Sequence, residues 1–270
     1  MGAFVSVFRV PKSGNSEDEC EDAAAVRPVS RPGEWVDEPL WAAVSDGASE
    51  SLLAGDWASL LARAVIELAQ DDERILSAPD HFASALLKVS TQWDNWLTEY
   101  LAEREARGRP VQWYEQPKLM RGAYATLLVA YFSRNAKNNL TRWYAAAIGD
   151  SCLFHVRENE LMCAFPMTSA SGFNMDPKLV NSRNKDHTLL ASHTEMVSGH
   201  CEPGDEFFMC SDALACWFLG QTENGVLPWR ILKHLSYPCD AHEFSTWVAT
   251  LRKDGQMRND DVALVHIDLR

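Results

Sequence analysis

Leu40-Trp41-Ala42-Ala43-Val44-Ser45-Asp46-Gly47 is an apolar run that ends in a carboxylate followed by glycine. A short apolar run stopped by an Asp-Gly turn signal reads as a buried β-strand. Its aspartate then lies at the rim of a sheet while the preceding residues fill a core. The same arrangement recurs along the chain. It is seen at Cys20-Glu21-Asp22-Ala23, at Ile148-Gly149-Asp150-Ser151, at Met209-Cys210-Ser211-Asp212-Ala213 and at Asn259-Asp260-Asp261-Val262. Several such strand ends converging would make an oxygen-rich pocket. Carboxylates at close range repel one another, so the pocket calls for cations, and hard divalent ions prefer these ligands. Taken singly, Asp46-Gly47 is an ordinary turn and Asp212 an ordinary helix cap. The set together carries the reading.

Outward from these segments the periodicity changes in blocks. Residues 3–10 alternate as a strand, 11–21 form a polar loop, and 22–26 and 40–45 are further strands. The spacing predicts a helix from Ser51 to Gln70 that buries Leu53, Trp57, Leu60, Leu61, Ala64, Val65 and Leu68. A second helix is predicted over 80–104, with Phe82, Leu86, Val89, Trp93, Trp96, Leu97 and Tyr100 as its inner stripe. Short β-rich runs follow at 123–132, 142–148, 151–157 and 160–165, with a strand pair at 188–197 and 206–210. Helices are expected near 212–219, 228–235 and 242–253, before a closing strand at 262–268. Strands and helices are segregated rather than alternating. The expected class is therefore α+β, with two stacked antiparallel sheets flanked by helices in a four-layer α/β/β/α sandwich.

At 270 residues the chain is long enough for a substantial core. With no internal repeat or low-complexity linker, residues 1–270 read as one domain. A net charge of −13 argues against nucleic acid as a partner, because phosphate backbones need a basic footprint. It does not argue against a phosphorylated substrate, since bound divalent ions invert the charge of an acidic site. The seven cysteines are odd in number and form no CxxC pair, which fits reduced thiols in a cytoplasm. The opening residues MGAFVSVFRVPKSG do not read as a signal peptide, and no stretch approaches membrane-span length. Cytoplasmic localisation without a membrane partner is the expectation.

In their order along the chain, these segments resemble the motifs of the PPM (PP2C-like) metal-dependent protein phosphatases, especially the divergent bacterial branch. Glu21-Asp22-Ala23 is similar to the family's acidic pair before alanine, and Asp46-Gly47 to its Asp-Gly motif. Gly122-Ala123-Tyr124-Ala125-Thr126-Leu127-Leu128 resembles the glycine-threonine strand, Gly149-Asp150-Ser151 the Gly-Asp-Ser strand, Ser211-Asp212-Ala213-Leu214 the Ser-Asp-Gly-Leu motif, and Asp260-Asp261 the final Asp-Asn pair.

The resemblance implies a phosphoprotein phosphatase for phosphoserine and phosphothreonine, with a cognate Ser/Thr kinase as partner. It implies two Mn²⁺ or Mg²⁺ ions bridged by Asp46, with the Gly47 carbonyl and Asp22 on the first, and Asp212 and Asp260 on the second. Asp150 with Asp212 resembles the pair that holds a third ion in some members. Glu21 would hydrogen-bond to the metal-bound water. Residues 166–205 correspond to a variable flap beside the active site.

Two departures stand out. The stretch Ser16-Glu17-Asp18-Glu19 lacks the arginine that often binds the substrate phosphate, with Arg9 or Lys12 as possible substitutes, and Ala213 replaces a glycine. The missing arginine leaves open an alternative: a catalytically weak or inactive module that binds phosphoprotein. Gly149-Asp150-Ser151-Cys152-Leu153 also resembles an esterase block, but its serine lies mid-chain and no Asp-x-x-His follows. Trp113 and Tyr114, in an expected loop, are candidates for a partner site. None of the eight histidines stands out as a general acid.

Overall fold

The computed structural model describes residues 2–28, 33–36, 39–134, 141–173, 176–237 and 239–270. Strand β4 (Leu40–Asp46) pairs with β2 (Asp22–Arg27) on one side and β6 (Leu127–Arg134) on the other. Beyond β6 lie β7 (Thr141–Ile148) and β11 (Glu195–Cys201), giving a five-stranded sheet in the order β11-β7-β6-β4-β2. The second sheet has six strands. Its centre is β1 (Ala3–Val10), β13 (Val262–Leu269) and β12 (Glu206–Cys210), with β3 (Glu34–Val36) at one edge and β8 (Cys152–Arg157) and β9 (Glu160–Phe165) at the other. Neighbouring strands in both sheets run antiparallel.

The period of two sorts each strand between two cores. In β6, Leu127, Val129 and Tyr131 face one cluster, and Leu128, Ala130 and Phe132 face another. In β12, Phe207 and Met209 join that second cluster, while Phe208 and Cys210 face a third. The shared cluster lies between the sheets. The first is roofed by α1 (Ala54–Asp71) and α2 (Pro79–Ala106), and the third by α5 (Asp212–Glu223), α6 (Pro228–Ser236) and α7 (Ala241–Lys253). The result is the expected four-layer α/β/β/α sandwich. Sheets covered on both faces explain why these strands read as continuous apolar runs rather than clean alternations. Each fully buried Leu or Phe there contributes about 2 kcal/mol through burial.

Several local expectations need correction. Residues 188–197 are not one strand: α4 (His187–His193) occupies the first half, and β11 begins only at Glu195. The cause is Asp186, whose side chain accepts the Leu189 N–H at 3.0 Å and starts a helix. The expected flap over 166–205 therefore shrinks, because α4 and β11 belong to the sandwich. Helix α1 starts at Ala54, after Leu53 in a left-handed conformation. Leu60 and Leu68 are only half-buried, and Ala58, Ile66 and Ala69 fill the core instead. Thr126 divides the run 123–132 into β5 (Tyr124–Ala125) and β6. Helix α3 (Gln116–Arg121) and β10 (Val180–Asn181), which pairs with β5, were not legible in the sequence. Among the described residues no helix is long and apolar enough to cross a membrane.

The chain crosses from one sheet to the other between β11 and β12, and a buried ion cluster fixes that crossing. Asp205 accepts Arg157 Nε at 2.7 Å, Arg157 Nη2 at 2.8 Å and the Glu202 N–H at 2.9 Å. His155 Nε2 lies 2.8 Å from the same carboxylate. Burial alone would raise the Asp205 carboxyl, but these hydrogen bonds hold it well below the usual carboxylate range. Removing one partner of a buried pair leaves the other uncompensated. Asp205→Asn should therefore lower stability by about 3 kcal/mol at neutral pH. A depressed carboxyl contributes its stability above its unfolded pKa and loses it as pH falls. The melting gap between native and variant should thus be widest at neutral pH and narrow below about pH 4. Thermal melts from pH 7 to pH 3 check this; a gap that is constant or grows in acid would contradict it.

Candidate metal centre

Asp22 opens β2 and Asp46 closes β4, and the antiparallel register makes them direct cross-strand partners. Two carboxylates therefore stand side by side at one rim of the five-stranded sheet. The Gly47 N–H continues the ladder to the Glu21 carbonyl at 3.2 Å. A Cβ on Gly47 would fall 2.8 Å from the Ala54 carbonyl and from the Glu21 oxygen, so the first turn of α1 can close over this exit only if the residue is glycine.

The Asp46 backbone is held from behind. Its N–H donates to Thr126 Oγ1 at 3.0 Å, and its carbonyl accepts the Thr126 N–H at 2.8 Å. The Thr126 hydroxyl lies 2.7 Å from Ser151 Oγ. Gly149, at φ 108°, packs against Thr126 so closely that a Cβ would approach to 2.6 Å. That packing delivers the next residue, buried Asp150, to the same rim. Asp212 arrives from the other sheet as the first residue of α5. Before it, the Ser211 N–H donates to the Ala263 carbonyl at 3.1 Å and Ser211 Oγ accepts the Ala263 N–H at 2.8 Å, which locks the end of β12 to β13.

The electrostatics of the rim follow from crowding. Burial, then the neighbouring Asp46 charge, push the Asp22 carboxyl well above its ordinary value, with Asp261 and Asp260 adding to the effect. Burial, then Asp260 and Asp150, push Asp46 up to about 7 against the opposing pull of Arg258. Asp150 is raised chiefly by burial. Asp150 Oδ1 and Asp212 Oδ1 are buried without a hydrogen-bond partner among the described residues, and the Asp22 oxygens, equally buried, have only the Ser211 hydroxyl and Asp46 acting on them. Such orphaned oxygens are expensive unless a cation completes them. One cation comes from the chain itself: the Arg258 guanidinium forms a close ion pair with Asp212 and lies 3.5 Å from Asp260.

The donor set fits hard divalent cations, being all oxygen and partly unsatisfied. It is not a closed cage. Among the described residues no three His, Cys, Asp or Glu side chains are drawn together tightly enough to hold an ion as they stand.

The Asp260-Asp261 pair divides its labour. Asp260 faces Arg258. Asp261 is buried and accepts the Lys12 N–H at 2.6 Å and the Glu21 N–H at 2.8 Å, so both of its oxygens are committed to the backbone. Glu21 sits at the outer lip, accepting a short hydrogen bond from the Ser49 hydroxyl and standing 3.4 Å from Lys12 Nζ. A groove of about 590 Å³ opens there, lined by Arg9, Lys12, Glu21, Ser49 and Asp56 among others. Arg9 also donates to the Asp22 carbonyl at 3.3 Å.

Sequence reading named the aspartates but missed Arg258, the backing by Thr126 and Ser151, and the structural role of Asp261. Arg258 had a usable signal: it is a lone cation two residues before an acidic pair.

No protein-family model matches the chain, and no curated protein matches it in sequence. Solved structures match its fold over nearly the whole length. The photosystem II phosphatase PBCP is 14% identical, with 99% of each chain covered and a TM-score of 0.60. The serine/threonine phosphatase PstP/Ppp of Mycobacterium tuberculosis is 17% identical, with 100% of each chain covered and a TM-score of 0.56. The catalytic domain of PstP in complex with two manganese ions is 17% identical, with 99% of each chain covered and a TM-score of 0.55. At these identities the likeness is one of fold.

Arg258→Gln would leave Asp212 and Asp260 without their cation. The metal-free variant should melt roughly 2–4 °C below the native protein, the effect of about 1 kcal/mol for a partly exposed pair in a chain of this size. Saturating Mn²⁺ should raise the variant's melting temperature by more than the native's, because no guanidinium has to be displaced. Equal metal-free melting temperatures with equal Mn²⁺ shifts would remove Arg258 from this role.

Proposed function

From a fold shared with the PP2C-type serine/threonine phosphatases, we propose that this chain is a metal-dependent phosphoprotein phosphatase hydrolysing phosphoserine and phosphothreonine monoesters. One observation carries the reading: Asp22, Asp46, Asp150, Asp212 and Asp260 interact at one rim where the two sheets meet, and buried oxygens of Asp150 and Asp212 lack partners among the described residues. Asp46 would lie between two ions, with Asp22 and the Gly47 carbonyl on the first and Asp212 and Asp260 on the second. Asp150 and Asp212 would hold a third, looser ion. Bound Mn²⁺ or Mg²⁺ supplies Lewis-acid activation of a water and neutralises charge developing on the phosphoryl oxygens.

The chain's own residues do the rest. Glu21, oriented by Ser49 and Lys12, would accept a hydrogen bond from the attacking water and help aim it. Lys12 and Arg9, on the groove beside Glu21, would bind the substrate phosphate in place of the arginine absent from residues 16–19. Arg258 would compete with a bound ion for Asp212 and Asp260. Seven free thiols support a reducing, cytoplasmic setting, and a cognate Ser/Thr kinase would supply the phosphorylated substrate.

A second reading is a phosphoprotein-binding module with little or no turnover. The Arg258 pairing favours it, because a built-in cation on Asp212 and Asp260 competes with the second ion. Hydrolysis of p-nitrophenyl phosphate with and without Mn²⁺ separates the two readings.

Asp46→Asn keeps the size but removes the charge that would be shared by the two ions. Mn²⁺-dependent hydrolysis should fall roughly 10²–10³-fold, the scale on which loss of one strong electrostatic partner acts. The metal-free variant should melt no lower than the native protein, since a repulsive carboxylate is gone. Asp261→Asn should do the opposite. It keeps one oxygen for two amides, so it should lose about 1 kcal/mol of stability while retaining metal-dependent activity. A fully active Asp46→Asn protein would end the two-ion assignment. A folded but inactive Asp261→Asn protein would move the ligand role from Asp260 to Asp261.

A further inference from the structure

The turn that leaves Asp46 separates two grooves. On one side, Ser49 faces Glu21 and the cavity that holds Arg9 and Lys12. On the other, Ala48 and Ser51 border a second groove of about 310 Å³, whose remaining walls include Lys118, Arg121, Tyr124 and Leu179. The two cations come from α3, which lies outside the motifs that define the metal centre.

This second groove is built rather than incidental. The Ala48 N–H donates to the Tyr124 carbonyl at 2.9 Å, the Tyr124 N–H donates to Ser51 Oγ at 3.2 Å, and Ser51 Oγ donates to the Ala48 carbonyl at 2.9 Å. The turn after Asp46 is thereby fastened to β5. Asn181 Nδ2 donates to the Arg121 carbonyl at 2.9 Å, and Arg183 Nε donates to the Leu119 carbonyl at 3.0 Å. Those bonds anchor the α3 backbone to the segment around β10 and leave the Lys118 and Arg121 side chains exposed. Elsewhere on the chain Arg104 is paired with Glu115, Arg107 with Glu103 and Lys185 with Asp94. Lys118 and Arg121 form no such ion pair among the described residues.

Charge gives the groove its direction. The chain carries a net charge of −13, which repels an acidic peptide at long range. Beside the metal centre the balance inverts locally, since Lys118 and Arg121 outweigh Glu50, a carboxylate that also lines the groove. Tyr124 and Leu179 add apolar surface against which a peptide's backbone and side-chain stems can pack. Trp113 and Met120, 81% and 76% exposed, lie in the same stretch of chain as α3. An extended peptide advances about 3.3–3.6 Å per residue. A phosphorylated residue at the Asp46 rim would therefore lay its next few residues along the turn and into this groove.

Building on the phosphatase reading above, we infer that the groove lined by Lys118 and Arg121 docks the polypeptide flanking the phosphorylated residue and selects substrates with Asp or Glu in that flank. Lys118 and Arg121 act as specificity residues: each pairs with a flank carboxylate and takes no part in the reaction at phosphorus.

The test uses phosphoserine peptides identical except for flanks of Glu, Ala or Lys. It is read as the ratio of kcat/KM for the Glu and Lys peptides, which cancels any change in the chemical step. The native ratio should be roughly 10-fold in favour of Glu, from a few-fold per exposed pair, and should shrink as salt rises. The double variant Lys118→Glu/Arg121→Glu should abolish or invert the ratio, and Glu50→Gln should raise it. A native ratio near one, or a ratio unmoved by the double substitution in a protein of native melting temperature, overturns the inference. Failure of the phosphatase reading looks different: native protein would not hydrolyse p-nitrophenyl phosphate with Mn²⁺. Fluorescence anisotropy with the same peptides then tests the groove directly. Tighter binding of the Glu peptide, lost in the double variant, would sustain the docking role without catalysis, and equal binding of all three peptides would overturn it.

Discussion

Buried carboxylates on adjacent strands cannot all carry charge unless cations stand among them. Asp22 and Asp46 are cross-strand partners, Asp150, Asp212 and Asp260 act on the same rim, and burial strengthens every repulsion. The structure meets this constraint in two ways. Burial and mutual repulsion raise the pKa values of Asp22, Asp46 and Asp150, and the Arg258 guanidinium lies against Asp212 and Asp260. A rim so costly persists only because the sandwich on either side is strong enough to hold it.

That sandwich is well suited to the task. Both sheets are covered on both faces, so their strand ends cannot shift without disturbing two cores at once. Fine positioning then falls to hydrogen bonds behind the carboxylates. Thr126 and Ser151 back Asp46, the Ser211–Ala263 pairing backs Asp212, and Asp261 ties residues 12 and 21 to the start of β13. Gly47 lets α1 close on the exit of β4. None of these groups is a proposed ligand, yet each limits where a ligand can sit.

The distribution of positive charge is the other organising feature of this acidic chain. Arg9 and Lys12 line one groove, Lys118 and Arg121 line the other, and Arg258 stands between Asp212 and Asp260. Each set lies beside the carboxylate rim or the turn that leaves it. Long-range repulsion by the molecule as a whole, with attraction confined to short range, would disfavour loose association and reward close fit.

The sequence alone disclosed the layers and the names of the rim aspartates. Short apolar runs such as residues 40–46 and 206–210, and the helical stripe through Trp57, Leu61 and Val65, depend on neighbours a few positions away. The order of the aspartates along those runs carried the resemblance. What sequence could not supply is who stands opposite whom. Asp261 meets Lys12 and Glu21 across separations of 249 and 240 residues, and it is this pairing that separates its role from that of Asp260 next door. The Lys118–Arg121 groove exists only because β10 brings Leu179 beside β5 and the turn after Asp46. The helix at His187–His193 displaced an expected strand through one side-chain cap that outweighed the local pattern. Local periodicity fixes which residues are buried. Only the closed sandwich determines which charges meet, because a strand's ends are placed by the sheet it joins and not by its own residues.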